Sequence, residues 1–158
     1  MIDETAQQLN ERFYRQIPMT RHMGLRITAW DGQVLRMDAP LAPNINDKGT
    51  GFAGSLATLA TFAAWAAATL LAEKITAQAC EAAVFESDIR YLLPVNGDFY
   101  VEVPVPEEEA MQAFKGSLQN RGRAKLALNA VIFQDGEEKV RYRGRYAVRV
   151  RPSQGSIE

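Results

Sequence analysis

The chain has 158 residues, of which 47% are hydrophobic and 23% charged, a composition typical of a globular domain with one sizeable core. Its formal net charge of -1 excludes the strong overall positive field that nonspecific nucleic-acid binding requires. Cys80 is the only cysteine and His22 the only histidine, which excludes an internal disulfide and a Cys/His zinc cluster. We therefore expect one cytoplasmic domain over residues 1–158, without metal, cofactor or nucleic acid.

The N-terminal segment predicts an amphipathic helix. It is polar and acidic, and it lacks the basic start and apolar run of a secretory signal. Apolar residues recur in it at helical spacing, and Pro18 disfavours continuation, so we expect a helix over residues 4–16 that packs across the main body. The apolar positions are Ala6, Leu9, Phe13 and Ile17.

Two short segments with β-character follow the helix. They are LRITAW (25–30) and QVLRMDAPL (33–41). Between them lies Asp31-Gly32, a dipeptide typical of hairpin turns. The pattern predicts two antiparallel strands.

A long uncharged run extends from Gly49 to Ala72, and by length alone it could cross a bilayer. It consists mainly of Ala, Gly, Ser and Thr, which gives it little drive into lipid. The strands that follow also need a helix to cover their apolar faces. We therefore expect a helix that is buried on all sides and ends near Lys74, and no membrane span.

The second half alternates apolar and polar residues with a period of two, which predicts four further strands. The first is expected to carry Phe85, Ile89, Tyr91 and Leu93 on one face. In the second, Pro104 indicates an edge strand or a bulge.

The two closing strands are separated by Asp135-Gly136. An acidic segment at 107–114 predicts a helical turn before these two strands. Leu118 has the same odd-or-even position as the apolar residues from Ala124 to Ile132, so we expect Leu118 to lie on the first of the two closing strands, which is the third of the four. The order of elements predicts an α+β domain whose antiparallel sheet wraps around the central helix.

Three segments of this chain resemble hotdog-fold thioesterases. They are N-I-N-D-K-G-T-G-F-A-G-S-L (44–56), S-D-I-R-Y-L-L-P-V-N-G-D (87–98), and the closing hairpin with R-G-R-A-K-L-A-L-N-A-V-I-F-Q-D-G and R-Y-R-G-R-Y-A-V. Phenylalanine in the G-T-x-F-x-G-S pattern makes the thioesterase domain of YiiD type the nearest likeness. The resemblance implies a hotdog fold and a homodimer, with a tetramer left open, whose active sites lie at the subunit interface.

The start of the central helix is the expected chemical centre. Backbone N–H groups of a first helical turn lack intrahelical acceptors, and the helix dipole adds positive charge there, so they can stabilise the oxyanion of thioester hydrolysis. By resemblance, Ala53 and Gly54 occupy the family's Gly-Gly positions, and their amides are the expected oxyanion donors. The other residues expected to contact substrate here are Gly51, Phe52, Ser55 and Thr61.

The loop before the helix contains three candidate polar residues. By resemblance, Asn46 orients the thioester or the attacking water. Because the helix has no carboxylate before Glu73, Asp47 is the expected base, and Asn44 is expected to contact substrate. The alternative is structural, because Asn and Asp side chains commonly bind nearby backbone N–H groups in turns. Phe52 and Thr61 stand where related thioesterases carry a histidine and a helix carboxylate, so the base could also be Glu86 or Asp88 of a partner subunit.

A stripe of basic residues is expected on the outer side of the closing hairpin. Its members are Arg121, Arg123, Lys125, Arg141, Arg143 and Arg145. One interpretation is a solvated sheet face that Glu86, Asp88 and Glu102 partly neutralise. The other, favoured for Arg121 and Arg123 by the R-G-R resemblance, is a phosphate-binding surface for coenzyme A or a dock for an acidic carrier protein.

The resemblance therefore implies hydrolysis of an acyl thioester of coenzyme A or acyl carrier protein. The absence of the usual histidine and helix carboxylate motivates a competing hypothesis: a catalytically silent hotdog dimer that binds acyl-CoA or a partner protein.

Overall fold

A computed structural model describes residues 2–153. Over this range the chain forms four α-helices and one antiparallel sheet of six strands, in the order β1-β2-β4-β5-β6-β3. The helices are α1 (Glu4–Gln16), α2 (Pro18–Met23), α3 (Ala53–Thr76) and α4 (Glu108–Arg121). The strands are β1 (Arg26–Trp30), β2 (Val34–Ala39), β3 (Cys80–Tyr91), β4 (Phe99–Pro104), β5 (Arg123–Gln134) and β6 (Glu137–Val150). The predicted α+β architecture is confirmed.

The central helix α3 is the predicted apolar helix. By length and composition it could cross a membrane, but 72% of its most apolar window is buried inside the fold. Its many alanines let it pack close to β3, β5 and β6. The helix ends where Ala77 adopts the left-handed conformation.

The N-terminal helix α1 has the predicted bounds, and its apolar face is buried with one exception. Ile17 lies outside the helix, at its C-cap, and is 37% exposed. Pro18 begins a second short helix instead of only ending the first, because proline is tolerated at the first helical position.

Strand β3 begins at Cys80, earlier than expected, and ends before Leu93. A register shift between Val84 and Glu86 interrupts its pairing with β6. Because a bulge inserts one extra residue, it moves Phe85 to the outer face of the sheet, where its ring contacts Arg145. The prediction that Phe85 shares a face with Ile89 and Tyr91 is therefore wrong.

Two further predictions are wrong, one about the segment between β4 and β5 and one about β4 itself. Leu118 belongs to α4, a full helix of 14 residues, because its spacing from Phe114 is helical and both side chains are buried. Strand β4 is internal, between β2 and β5. Pro104 is tolerated at its end because β5 pairs only with residues 100–102, so the missing N–H costs no hydrogen bond to β5.

Candidate active site at the start of the central helix

Asn44 and Asn46 fix the loop that leads into α3. The buried Asn44 side chain donates to the carbonyl oxygens of Met23 and Pro40, both at 2.8 Å. The Asn46 side chain accepts from the backbone N–H groups of Lys48 and Thr50 and donates to Thr50 Oγ1 at 2.8 Å. Asn46 thus makes the turn-forming bonds of the structural interpretation, whereas the Asn44 amide bonds only to carbonyl oxygens and its buried Oδ1 has no partner within residues 2–153. The catalytic role of Asn46 and the substrate contact of Asn44 stay predictions.

Helix α3, which follows this loop, has no side-chain hydrogen bond that caps its start. Phe52, the N-cap, is extended and makes no side-chain cap, and the first helical hydrogen bond runs from Leu56 N to Phe52 O at 3.0 Å. The amides of Ala53, Gly54 and Ser55 precede that bond, and among residues 2–153 none has a side-chain acceptor. Uncapped amides at the positive end of a long helix are suited to bind developing negative charge.

The glycines flanking the helix start permit close packing. A Cβ on Gly54 would lie 2.6 Å from Phe52 Cε1, so the exposed Phe52 ring lies directly beside this residue. A Cβ on Gly51 would lie 3.1 Å from Val95 Cβ, and Gly51 N donates to Val95 O at 2.7 Å. Gly51 therefore holds the loop against the chain that follows β3, and the Phe52 ring lies against Gly54. Neither Phe52 nor Gly54 is among the residues that line the groove beside the helix start.

A groove of about 290 Å³, here called the start groove, opens beside these amides. Its lining includes Thr50, Gly51, Ala53, Leu56 and Tyr91. The Tyr91 hydroxyl donates to Ala53 O at 3.3 Å and connects the end of β3 to the first turn of α3. Sequence reasoning missed this contact and expected Tyr91 only to pack; the available signal was its position on the inner face of β3, just before a proline turn.

An apolar cleft of about 410 Å³ lies further along α3, between the helix and β3. Thr61, which the sequence predicts to contact substrate, lies in its wall with Thr58, Trp65 and Val84. Ser55 lines neither the start groove nor the apolar cleft.

Tyr146 closes the apolar cleft on the sheet side. Its hydroxyl donates to Thr61 O at 2.6 Å and lies 2.8 Å from the Tyr142 hydroxyl. Burial, reinforced by the Tyr142 hydrogen bond, raises the pKa of Tyr146, so the group stays neutral and acts as a fixed donor.

The carboxylates named from the sequence do not reach the start groove. The Asp47 side chain is 82% exposed and pairs with Lys48 at 3.1 Å. Glu86 lies on the outer face of the sheet and pairs with Arg145 at 3.3 Å. No Asp, Glu, His or Cys is among the residues that line the groove within residues 2–153. A proton acceptor must therefore come from elsewhere.

The basic stripe is divided between two elements. Arg121 ends α4 and does not lie on the hairpin, because α4 continues up to Gly122, whose φ of 69° terminates it. Arg123 begins β5, directly opposite Arg149 of β6. Both Arg121 and Arg123 line a groove at the end of the sheet where β3 begins, remote from the α3 start.

A family model described as "Putative thioesterase (yiiD_Cterm)" matches residues 6–150. A solved structure of a protein of unknown function from Chlorobaculum tepidum is 32% identical, with a TM-score of 0.84 over 93% of this chain and 95% of that one. A "putative thioesterase" from Shewanella oneidensis is 30% identical, with a TM-score of 0.83 over 95% of this chain and 100% of that one. A "Probable Thioesterase" from Pseudomonas aeruginosa, 24% identical with a TM-score of 0.75 over 96% and 99%, shares the fold. The chain belongs to this family of hotdog-fold thioesterases.

Proposed function

We propose that this protein hydrolyses an acyl thioester at the start of α3 and acts as a homodimer. One observation carries the proposal: the first-turn amides of α3 are uncapped, and Ala53, the first residue of that turn, lines a groove that an acyl group can enter. The thioester carbonyl binds there with its oxygen toward the amides of Ala53 and Gly54. These amides stabilise the negative charge that forms when water attacks the carbonyl carbon.

The acyl chain lies along α3 in the apolar cleft. Along α3 the lining of the cleft runs from Ala57 to Trp65, eight residues or roughly 12 Å, so the cleft suits an extended aliphatic chain. Phe62 and Trp65 stack at 4.9 Å between ring centroids and limit the cleft at its far end.

The proton acceptor in this proposal comes from the second subunit. Within residues 2–153 no Asp, Glu, His or Cys lines the start groove, and Glu86 and Asp88 lie on β3, the strand through which we propose that two subunits join. The acceptor carboxylate takes one proton from water as the oxygen of that water bonds to the carbonyl carbon. It returns this proton to the sulfur as the C–S bond breaks, so that a carboxylic acid and a thiol form and the carboxylate is regenerated.

The substitution Ala53→Pro tests the proposal. Ala53 is the first helical residue and follows an extended Phe52, so proline is tolerated there but removes the N–H donor. We expect the thiol-release rate from acyl thioesters to fall about 100-fold, as for loss of one oxyanion donor. The control Ala53→Ser keeps the donor and should retain the rate. Equal rates for the two variants would contradict an oxyanion site at Ala53.

A second candidate is a catalytically silent hotdog dimer that binds acyl-CoA or a partner protein, and it is favoured because no Asp, Glu, His or Cys lines the start groove within residues 2–153. The same assay separates the two functions. Absence of thiol release from acyl-CoA and acyl carrier protein esters of every chain length, with acyl-CoA still bound, would support the silent dimer.

A further inference from the structure

The loop between β3 and β4, residues 92–98, is here called the brace loop because it holds the segment that leads from β2 to α3 at two points. Near the beginning of that segment, Leu41 N donates to Asp98 Oδ1 at 2.9 Å. Near its end, Gly51 N donates to Val95 O at 2.7 Å, two residues before Ala53. The position of the α3 start therefore depends on the brace loop.

Val95 is the residue through which the brace loop contacts the α3 start. Its side chain is fully buried, and a Cβ on Gly51 would lie 3.1 Å from Val95 Cβ and 3.2 Å from Leu56 Cδ2, in the first turn of α3. Gly51, Leu56 and Val95 all line the start groove. In packing this close, a shift of Val95 displaces its neighbours.

The brace loop has no regular structure that would fix it. None of residues 92–98 belongs to a helix or a strand. At the beginning of the loop, Leu92 N and Leu93 N both donate to Lys139 O, at 2.8 Å and 3.2 Å. These bonds hold the loop to β6 before it reaches Val95, so the part that contacts Gly51 needs a further support.

Gln134, the last residue of β5, supplies that support. Its side-chain Oε1 accepts from Asn96 N at 2.8 Å, and its Nε2 donates to Asn96 Oδ1 at 2.6 Å. Gln134 is 9% exposed, and a Cβ on Gly97 would lie 3.0 Å from Nε2, so the amide is enclosed as well as paired. Two bonds to one residue fix both the position and the orientation of Asn96, which directly follows Val95.

We propose that Gln134 positions the oxyanion donors of α3 through the brace loop. Its hold on Asn96 fixes Val95, which binds Gly51, and Gly51 is joined through one residue to Ala53. The α3 start needs such a support because no side chain caps it. A displacement of about 1 Å in a site can lower a rate by about 100-fold, so a residue remote from the reacting atoms can control it. The inference deepens the proposed function, on which it rests for the role of the Ala53 amide.

Steady-state kinetics of thiol release tests the role of Gln134. Gln134→Leu removes both bonds to Asn96 at nearly constant volume, and we expect kcat to fall about tenfold with KM within about twofold of the parent value, because the lost support acts on the transition state. Gln112→Leu, the same change at an exposed position of α4, is the control and should leave kcat unchanged. In the Ala53→Pro background, Gln134→Leu should lower kcat less than about threefold, since the donor that it positions is gone.

Amide hydrogen exchange, followed by NMR, tests the same contacts without any hydrolysis. In Gln134→Leu we expect the Gly51 N–H to exchange about tenfold faster relative to the amides of β5 and β6, whose exchange reports global stability. Asn96→Ala, at an exposed position, keeps the backbone bond to Gln134 and removes only the side-chain bond. It should speed Gly51 exchange about threefold, and it provides the test if Gln134→Leu does not fold.

Three results would overturn the proposal: a kcat of Gln134→Leu within about twofold of the parent value, an equal fall of kcat with and without Ala53→Pro, or Gly51 exchange that rises no more than that of β5 and β6. An equal fall in both backgrounds is the result expected of lost stability alone. Faster Gly51 exchange in Gln134→Leu, together with a parent protein that releases no thiol from any acyl thioester, would support the brace and contradict the proposed hydrolysis.

Discussion

The sheet ends in β1 on one side and in β3 on the other, and the two edge strands differ in length and in cover. Strand β1 has five residues, and α1 packs against it. The buried Asn10 side chain of α1 donates to Ile27 O at 3.0 Å and accepts from Ile27 N at 2.8 Å. Tyr14 of the same helix donates to Leu25 O. At Ile27, the backbone groups that β1 would offer to another strand are thus occupied by a side chain of its own chain.

Strand β3 has twelve residues and, within residues 2–153, pairs only with β6. Apolar side chains along it are exposed, among them Val84 at 40% and Tyr91 at 49%. A long apolar edge of this kind is an aggregation hazard unless another chain covers it. Because the same fold covers one edge and leaves the other open, we interpret the open edge as the dimer interface of the proposed function.

The substitution Val84→Lys should have the largest effect. Val84 lies near the middle of β3, so a twofold axis there would bring two introduced lysines together. We expect the dissociation constant of the dimer, measured by analytical ultracentrifugation, to rise about 100-fold above that of the parent protein. Thr28→Lys, at an exposed position of the covered strand β1, is the control and should leave the dimer intact. A parent protein that is monomeric at high concentration would contradict the interface.

Much of this fold follows from periodicity in the sequence. The uncharged run of α3 and the alternating residues of β5 and β6 predict their elements because one physical requirement, burial, determines the pattern. The failures lie where two patterns coincide. Leu118 has both the helical spacing from Phe114 and the parity of β5, and only packing decides between them. The bulge at Phe85 leaves no mark in an alternating sequence, because it depends on the register with β6.

Less of the candidate site than of the fold could be predicted from the sequence. The uncapped amides of Ala53 and Gly54 follow from helix geometry, so their location required only the helix boundary. The contact between Tyr91 and Ala53, and the distance from Arg123 to the α3 start, depend on how distant segments meet. For Asn46 the sequence left two interpretations, and the structure shows the hydrogen bonds of the turn-forming one without testing catalysis.

Uncovering the β1 edge should have the smallest of these effects, and it tests whether Asn10 protects that edge. Asn10→Leu leaves Ile27 N and Ile27 O without their partner in a buried place, so we expect the free energy of unfolding to fall by about 2 kcal/mol, measured by urea denaturation. Gln8→Leu, the same kind of change at an exposed position of α1, is the matched control and should alter stability by less than about 0.5 kcal/mol. If the two variants are equally stable, the hydrogen bonds of Asn10 contribute little and packing of α1 alone covers the edge. A destabilised Asn10→Leu that also forms species larger than a dimer would show that the edge becomes available once its backbone is released.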